Sequence, residues 1–202
     1  MQNHNLEHSS VTPQNQAQPG RVRQRICNCQ NELENILSRI PTRGSVPFDN
    51  ILKLTRDVIE QWTTTNNCRS CWMDQQGTNL LVKISEQMIL LYEAASTLYA
   101  VNDDVISRGF SSASNPQPQI ICQKSPTFLG QITLDDEETT LLAQQLLHVC
   151  LVRVGSLIHE LQEDYMQVNS DLRQDEGGMG ARMSRNKSKL LALLGRIKST
   201  QK

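Results

Sequence analysis

Apolar side chains return at intervals of three and four along most of residues 134–168, at Leu141, Leu142, Leu146, Val149, Cys150, Val154, Leu157, Ile158, Leu161, Tyr165 and Val168. That period lays a continuous stripe along an α-helix, whereas a strand, whose side chains alternate between faces, makes no use of it. Thr133-Leu134-Asp135-Asp136 offers a capping hydroxyl with an acid three positions on, and Asp135 to Glu138 put carboxylates where the helix dipole is positive. A helix of about thirty residues is expected to begin there. Leu80, Leu81, Ile84, Met88, Leu91, Tyr92, Ala95, Leu98 and Tyr99 repeat the period and predict a second long helix over about 77–100.

Shorter stretches follow the same rule. Leu33, Ile36, Leu37 and Ile40 form a stripe that Pro41 stops, and Phe48, Ile51, Leu52, Thr55, Val58, Ile59 and Trp62 form another, with Pro47 near its start. The poor helix formers Thr63 to Asn67 are expected to end that helix before Cys68. Leu190, Leu191, Leu193, Leu194 and Ile197 predict a last short helix after a flexible break at Asp175–Gly180. No window alternates with period two between hairpin turns, so the fold class is all-α: an irregular bundle of about five helices in which the two longest pack side by side.

Residues 26–101 and 133–198 then form two helical parts of one domain, joined by a linker, 102–132, that carries Gly109, Pro116, Pro118 and Pro126. Residues 1–25 are rich in Asn and Gln and hold four apolar side chains besides Met1, too few to offset their ordering entropy, and are read as a disordered tail. The overall 38% hydrophobic and 4% aromatic content suits a chain of which part adds nothing to a core.

A formal net charge of −1 excludes a molecule built over its whole surface to neutralise a polyanion. The first thirty residues show no signal-like apolar run, and no window reaches eighteen uninterrupted apolar residues, so the expectation is an intracellular, soluble chain with no membrane partner. Its six cysteines, Cys27, Cys29, Cys68, Cys71, Cys122 and Cys150, are expected to be reduced.

Cys27-Asn28-Cys29 and Cys68-Arg69-Ser70-Cys71, with thirty-eight residues between them, offer four thiolates at helix boundaries to a tetrahedral zinc. One residue between the first pair, and no glycine, departs from the usual knuckle spacing, which favours ordinary packing of the thiols and leaves zinc as the alternative cofactor. A redox pair fits less well, since no βαβ context surrounds the Cys-x-x-Cys. His148 and His159 lie eleven positions apart on one helix, roughly 16 Å, and cannot share a metal. No catalytic signature gives chemistry an anchor.

Arg182, Arg185, Lys187, Lys189, Arg196, Lys198 and Lys202 give the last 21 residues a charge of +7 without an acid. The first six are candidates for contact with an acidic partner or nucleic acid, although bases around an apolar stripe more often form the solvated face of a docking helix. Arg21, Arg23 and Arg25 are too few for a localisation or phosphate signal.

Several of these pieces stand in a familiar order. Cys27-x-Cys29 leads an apolar helix, Phe48-Asp49-x-x-Leu52 and Trp62 precede Cys68-x-x-Cys71, Leu80-Leu81 leads to Tyr92-x-Ala94-Ala95, and Leu129-Gly130-x-x-x-Leu134-Asp135-x-Glu137-Glu138 opens the long helix. The series, over about residues 26–198, resembles the C-terminal regulatory region of fungal binuclear-zinc-cluster transcription factors of the aflatoxin-regulator type. The six-cysteine DNA-binding cluster of such proteins has no counterpart here, so DNA recognition transfers to no residue. The resemblance implies a non-catalytic helical module associated with transcription of a secondary-metabolite gene cluster, in the nucleus, acting through protein partners. DNA would be touched only indirectly or weakly, and a homodimer is compatible with this. Exposed apolar surface on the final helix and the linker is the contact candidate. The rival readings are a DNA-binding regulator using the basic C-terminal segment and a small-molecule sensor with a pocket between the long helices.

Overall fold

The computed structural model describes residues 27–68, 71, 74–99, 120–168 and 178–199. The expected tail at 1–25, the three arginines ending it, the first two thirds of the linker, the Asp175–Gly177 part of the break, Trp72 and Lys202 lie outside the described residues.

Five helices carry the fold: α1 (Cys29–Arg39), α2 (Phe48–Asn66), α3 (Gln75–Tyr99), α4 (Asp136–Val168) and α5 (Met179–Ser199). Each starts and stops for a local reason. α1 ends at Ile40, whose extended backbone leads into Pro41, which cannot continue a helix. α2 ends at Asn66, within the run of poor helix formers expected to stop it before Cys68, and there Thr63, Thr64 and Thr65 each turn the hydroxyl back onto the carbonyl four residues earlier, at 2.8–2.9 Å. α3 begins two residues before the expected Gly77, since the Asp74 carboxylate accepts the Gly77 N–H at 2.9 Å and caps the first turn.

α4 is capped by Asp135 rather than Thr133. The Glu138 N–H donates to Asp135 Oδ1 at 2.8 Å, and Glu138 Oε2 accepts the Asp135 N–H at 3.0 Å, a reciprocal capping box. α5 starts at Met179, well before Leu190, and spans 21 residues. Its extra turns are held by buried Met183, by Met179 packed against the core, and by polar contacts to α3 and α4.

Short strands correct the purely helical expectation without altering the class. β1 (Gly44–Pro47) pairs in parallel with β2 (Ile120–Gln123), Gly44 opposite Ile120 and Pro47 opposite Gln123. Val46, Ile120 and Cys122 point into the core while Ile121 stays exposed. Gly44 enters the strand at φ +89°, a left-handed conformation that suits glycine. β3 (Phe128–Leu129) and β4 (Ile132–Thr133) form a small hairpin just before α4. The last third of the linker is therefore ordered. Ser125 fastens it to the start of α2, donating to Asp49 Oδ1 at 2.6 Å while accepting the Asp49 N–H at 3.3 Å.

A single apolar core draws on all five helices, β1 and β2. The two longest helices, α3 and α4, pack on each other, and α5 packs on both. α3 lies nearest the centre, with Ile84, Met88, Leu91, Tyr92 and Ala95 fully enclosed. The Tyr92 hydroxyl lies 2.8 Å from Thr55 Oγ1, which gives the buried phenol a partner. Burial drives the Tyr92 phenol well above the ordinary tyrosine range. Phe48 and Tyr99 meet edge to face with ring centroids 4.9 Å apart.

On α4 the periodicity named the wrong face in part. Ala143, Leu147, Leu151, Val154, Ile158 and Leu161 are buried, whereas Leu141, Leu142, Leu146 and Val149, expected in the core, are exposed. The helix is apolar nearly all round its first half, so its pattern does not say which side faces in.

Candidate metal centre

Cys27 stands just ahead of α1 and Cys29 is its first residue; Cys68 follows α2, and Cys71 sits in the turn leading to α3. α1 and α2 pack together, with the start of one against the end of the other, so the two halves of the thiol set arrive at one end of the helix pair. The connection after α2 is wound by consecutive turns, Cys68 N–H to Thr65 O at 3.1 Å, Cys71 N–H to Cys68 O at 3.0 Å and Asp74 N–H to Cys71 O at 3.0 Å. This winding brings the Cys68 and Cys71 thiols to one side. At the other half, Asn28 accepts from the Asn31 amide and donates to Glu32, each at 2.9 Å, which fixes the short link between Cys27 and Cys29.

All four Sγ atoms lie within 4.8 Å of one another, and the Cys27 and Cys71 sulfurs are 2.8 Å apart. Four sulfurs around a tetrahedral zinc at about 2.3 Å stand about 3.8 Å from one another, so the observed separations bracket the required size. None of the four is bridged in a disulfide. Cys29 is buried and the other three are half-buried. Burial raises the Cys29 and Cys71 thiols above their ordinary value, reinforced at Cys71 by hydrogen bonding to Cys27, Cys68 and Cys29, whereas at Cys29 the hydrogen bond with Cys68 raises and that with Cys71 opposes. A crowded, neutral set of this kind becomes favourable when a cation takes the place of the protons.

Four sulfur donors are soft ligands that select zinc or iron–sulfur chemistry over calcium or magnesium. With every donor supplied by the protein, a tetrahedral ion would have no open position, which is the arrangement of a structural centre rather than a catalytic one. A single intervening residue suffices here because one cysteine precedes the helix and the next begins it.

The basic C-terminal candidates separate into different environments. Arg182 is half-buried and clamps Glu86 of α3 with two bonds, Nε to Oε1 at 2.9 Å and Nη2 to Oε2 at 2.7 Å, while Nη1 reaches Asn79 Oδ1 at 3.1 Å. The Glu86 hydrogen bonds push the guanidinium higher still above its ordinary value. Lys187 Nζ lies 3.2 Å from His159 Nδ1, and His159 Nε2 lies 3.3 Å from Glu163. Arg185, Lys189 and Arg196 are exposed, and the Lys198 side chain lies outside the described residues. Arg182 and Lys187 thus bind other helices of the same chain.

Sequence reasoning missed the acceptors of this seam. Asn79, Ser85 and Glu86 meet Arg182 and Asn186 across 96–103 positions, and Asn186 donates to Ser85 at 2.9 Å in the interior. No local signal announces such pairs.

Comparison with known proteins gives one curated relative. The chain is 28% identical over 205 aligned residues to "Asperlin biosynthesis cluster protein I" of Emericella nidulans, covering 84% of this chain and 94% of the relative. No family profile matches the chain, and no solved structure does. The similarity is compatible with association with a secondary-metabolite cluster.

Proposed function

We propose that this chain is a non-catalytic helical regulatory module of a fungal secondary-metabolite gene cluster, working in the nucleus through protein partners, with zinc held by Cys27, Cys29, Cys68 and Cys71 as a structural fastener. The observation that carries the cluster assignment is the match over 94% of a relative whose name ties it to asperlin biosynthesis. The resemblance of the ordered motifs to those of aflatoxin-type regulators supports the regulatory half of the reading. The closed four-thiol geometry supports a structural metal, since a catalytic zinc keeps a position for water or substrate.

The test separates a regulator from a biosynthetic enzyme. Deleting the gene in the fungus that carries it is expected to lower the transcripts of the neighbouring biosynthetic genes together, without accumulation of an intermediate. Unchanged transcripts with a build-up of one pathway intermediate would refute the proposal and make the protein an enzyme of the pathway.

A further inference from the structure

Helix α4 turns one apolar face into the core and leaves a second in solvent. On the outer face Leu141 is 55% exposed, Val149 and Val152 are each 44%, and Leu142 and Leu146 are each 37%. On a helical wheel these five fall within about 140° of one another, so they form one stripe rather than scattered positions. Phe128, Leu129 and Ile132 of the β3–β4 hairpin, all more than 60% exposed, stand immediately ahead of the helix. A largely apolar surface of this kind, interrupted at its middle by exposed Gln145, marks an interaction site on a folded chain.

The charges bounding the stripe identify what fits it. From Thr139 to Val152 no residue carries a formal charge; Glu138 closes one end and Arg153 the other, both exposed and both on the outer face. They are fifteen residues, or about 22 Å, apart along the axis. An acid at one end and a base at the other of an uncharged stripe is self-complementary when a second copy runs antiparallel, because each Glu138 then faces the other copy's Arg153. A parallel pair would set like against like. A two-fold axis passing between Gln145 and Leu146 brings Leu142 of each copy over Val149 of the other in the same register. Antiparallel dipoles add to the preference.

We propose that α4 is a homodimer interface in which two copies pack antiparallel across Leu141, Leu142, Leu146, Val149 and Val152, with Glu138 and Arg153 paired between copies. Asp136–Gln167 is also long and apolar enough to cross a membrane by length and composition. Its inner face is, however, committed to the core through Leu147, Leu151, Val154 and Ile158, each at most 1% exposed, so spanning would dismantle the bundle. The dimer does not depend on the regulatory reading above.

Light scattering of the full-length protein after size exclusion, over about 1–100 μM, is expected to give twice the 22.8 kDa chain mass at the upper concentrations. Val149→Glu, which sets a carboxylate opposite Leu142 twice per dimer, is expected to raise the dissociation constant by at least about 100-fold with unchanged helical circular dichroism. Arg153→Glu alone should weaken the dimer. The double variant Glu138→Arg/Arg153→Glu should recover most of the loss, a rescue that misfolding would not give. A monomer throughout the range, a dimer indifferent to Val149→Glu, or a monomer that floats with phosphatidylcholine vesicles would each overturn the proposal.

Discussion

If a metal joins the four thiols, its removal has a calculable effect. Cys27 and Cys71 stand 44 positions apart, and a cross-link between them closes a loop of that size in the unfolded chain. Treated as chain entropy, closing such a loop stabilises the fold by about 4 kcal/mol. For a chain of this length that corresponds to a melting temperature lower by about 8–16 °C after the metal is removed. The bundle itself should survive, because α1 is also held by buried Leu33 and Ile36, with Ile40 just beyond its end. The assay is thermal denaturation followed at 222 nm, on protein purified without chelator and then treated with one, beside elemental analysis of the untreated sample. We expect close to one zinc per chain, a fall in melting temperature of that size, and a far-ultraviolet spectrum little changed at 20 °C. Cys68→Ser should reproduce the fall and abolish its response to chelator, whereas Cys150→Ser, remote from the set, should retain the metal. Protein without zinc whose melting is indifferent to both chelator and Cys68→Ser would refute the reasoning.

Three further outcomes are expected. Leu151→Ala, at a fully buried position, should cost about 2–5 kcal/mol in urea denaturation at a concentration low enough to keep the chain monomeric, against less than about 0.5 kcal/mol for Leu141→Ala on the face exposed in the monomer; equal costs would mean the faces of α4 are misassigned. Arg182→Ala should cost about 1–2 kcal/mol, and Arg182→Lys should recover little of it, because a lysine cannot span both Glu86 oxygens and Asn79; full recovery by lysine would show that charge alone matters. Burial pushes the Cys122 thiol up to about 11 from its ordinary 9.0. Since the folded value is the higher one, its contribution is complete below pH 9 and is lost as pH climbs through about 11. Tyr92 and Cys150, also raised by burial, act in the same direction. The urea midpoint should therefore fall between pH 9 and 11, less steeply in Cys122→Ala, and a midpoint level across that range would contradict the burial of these groups.

How much of this the sequence disclosed follows from the range of each interaction. α1, α2 and α3 were legible to within two residues at each end, because stripe, proline and cap all act within a few positions. The capping box of α4 was legible in kind but misplaced by two residues, since Thr133 and Asp135 both stand ahead of an acid three positions on and only packing selects between them. The β1–β2 pair was not legible. Its partners are 76 residues apart, and four residues with two inward side chains give no alternation to detect. The thiol set was named from composition and spacing, but its convergence depended on α1 and α2 meeting start to end. The first turns of α5 were missed because Met179 and Met183 are their only inward apolar side chains before Leu190 and their other contacts are polar, with partners on α3 and α4.

These differences also locate where the molecule depends on fasteners. α3, α4 and α5 enclose one another along most of their lengths and need none. The N-terminal edge is built otherwise: α1 has eleven residues, short of the length at which a helix holds itself, and a two-stranded sheet of four residues a side is marginal alone. That edge is tied down by Arg39 to Asp57, by Ser125 to Asp49, and by the four thiols at its outer end. An exposed ion pair such as the first contributes little. A metal cross-link at the thiols would add to the packing of Leu33 and Ile36 a constraint on the start of α1, which is the physical reason for a closed, all-cysteine set to stand at that end of the chain and not in the well-packed interior.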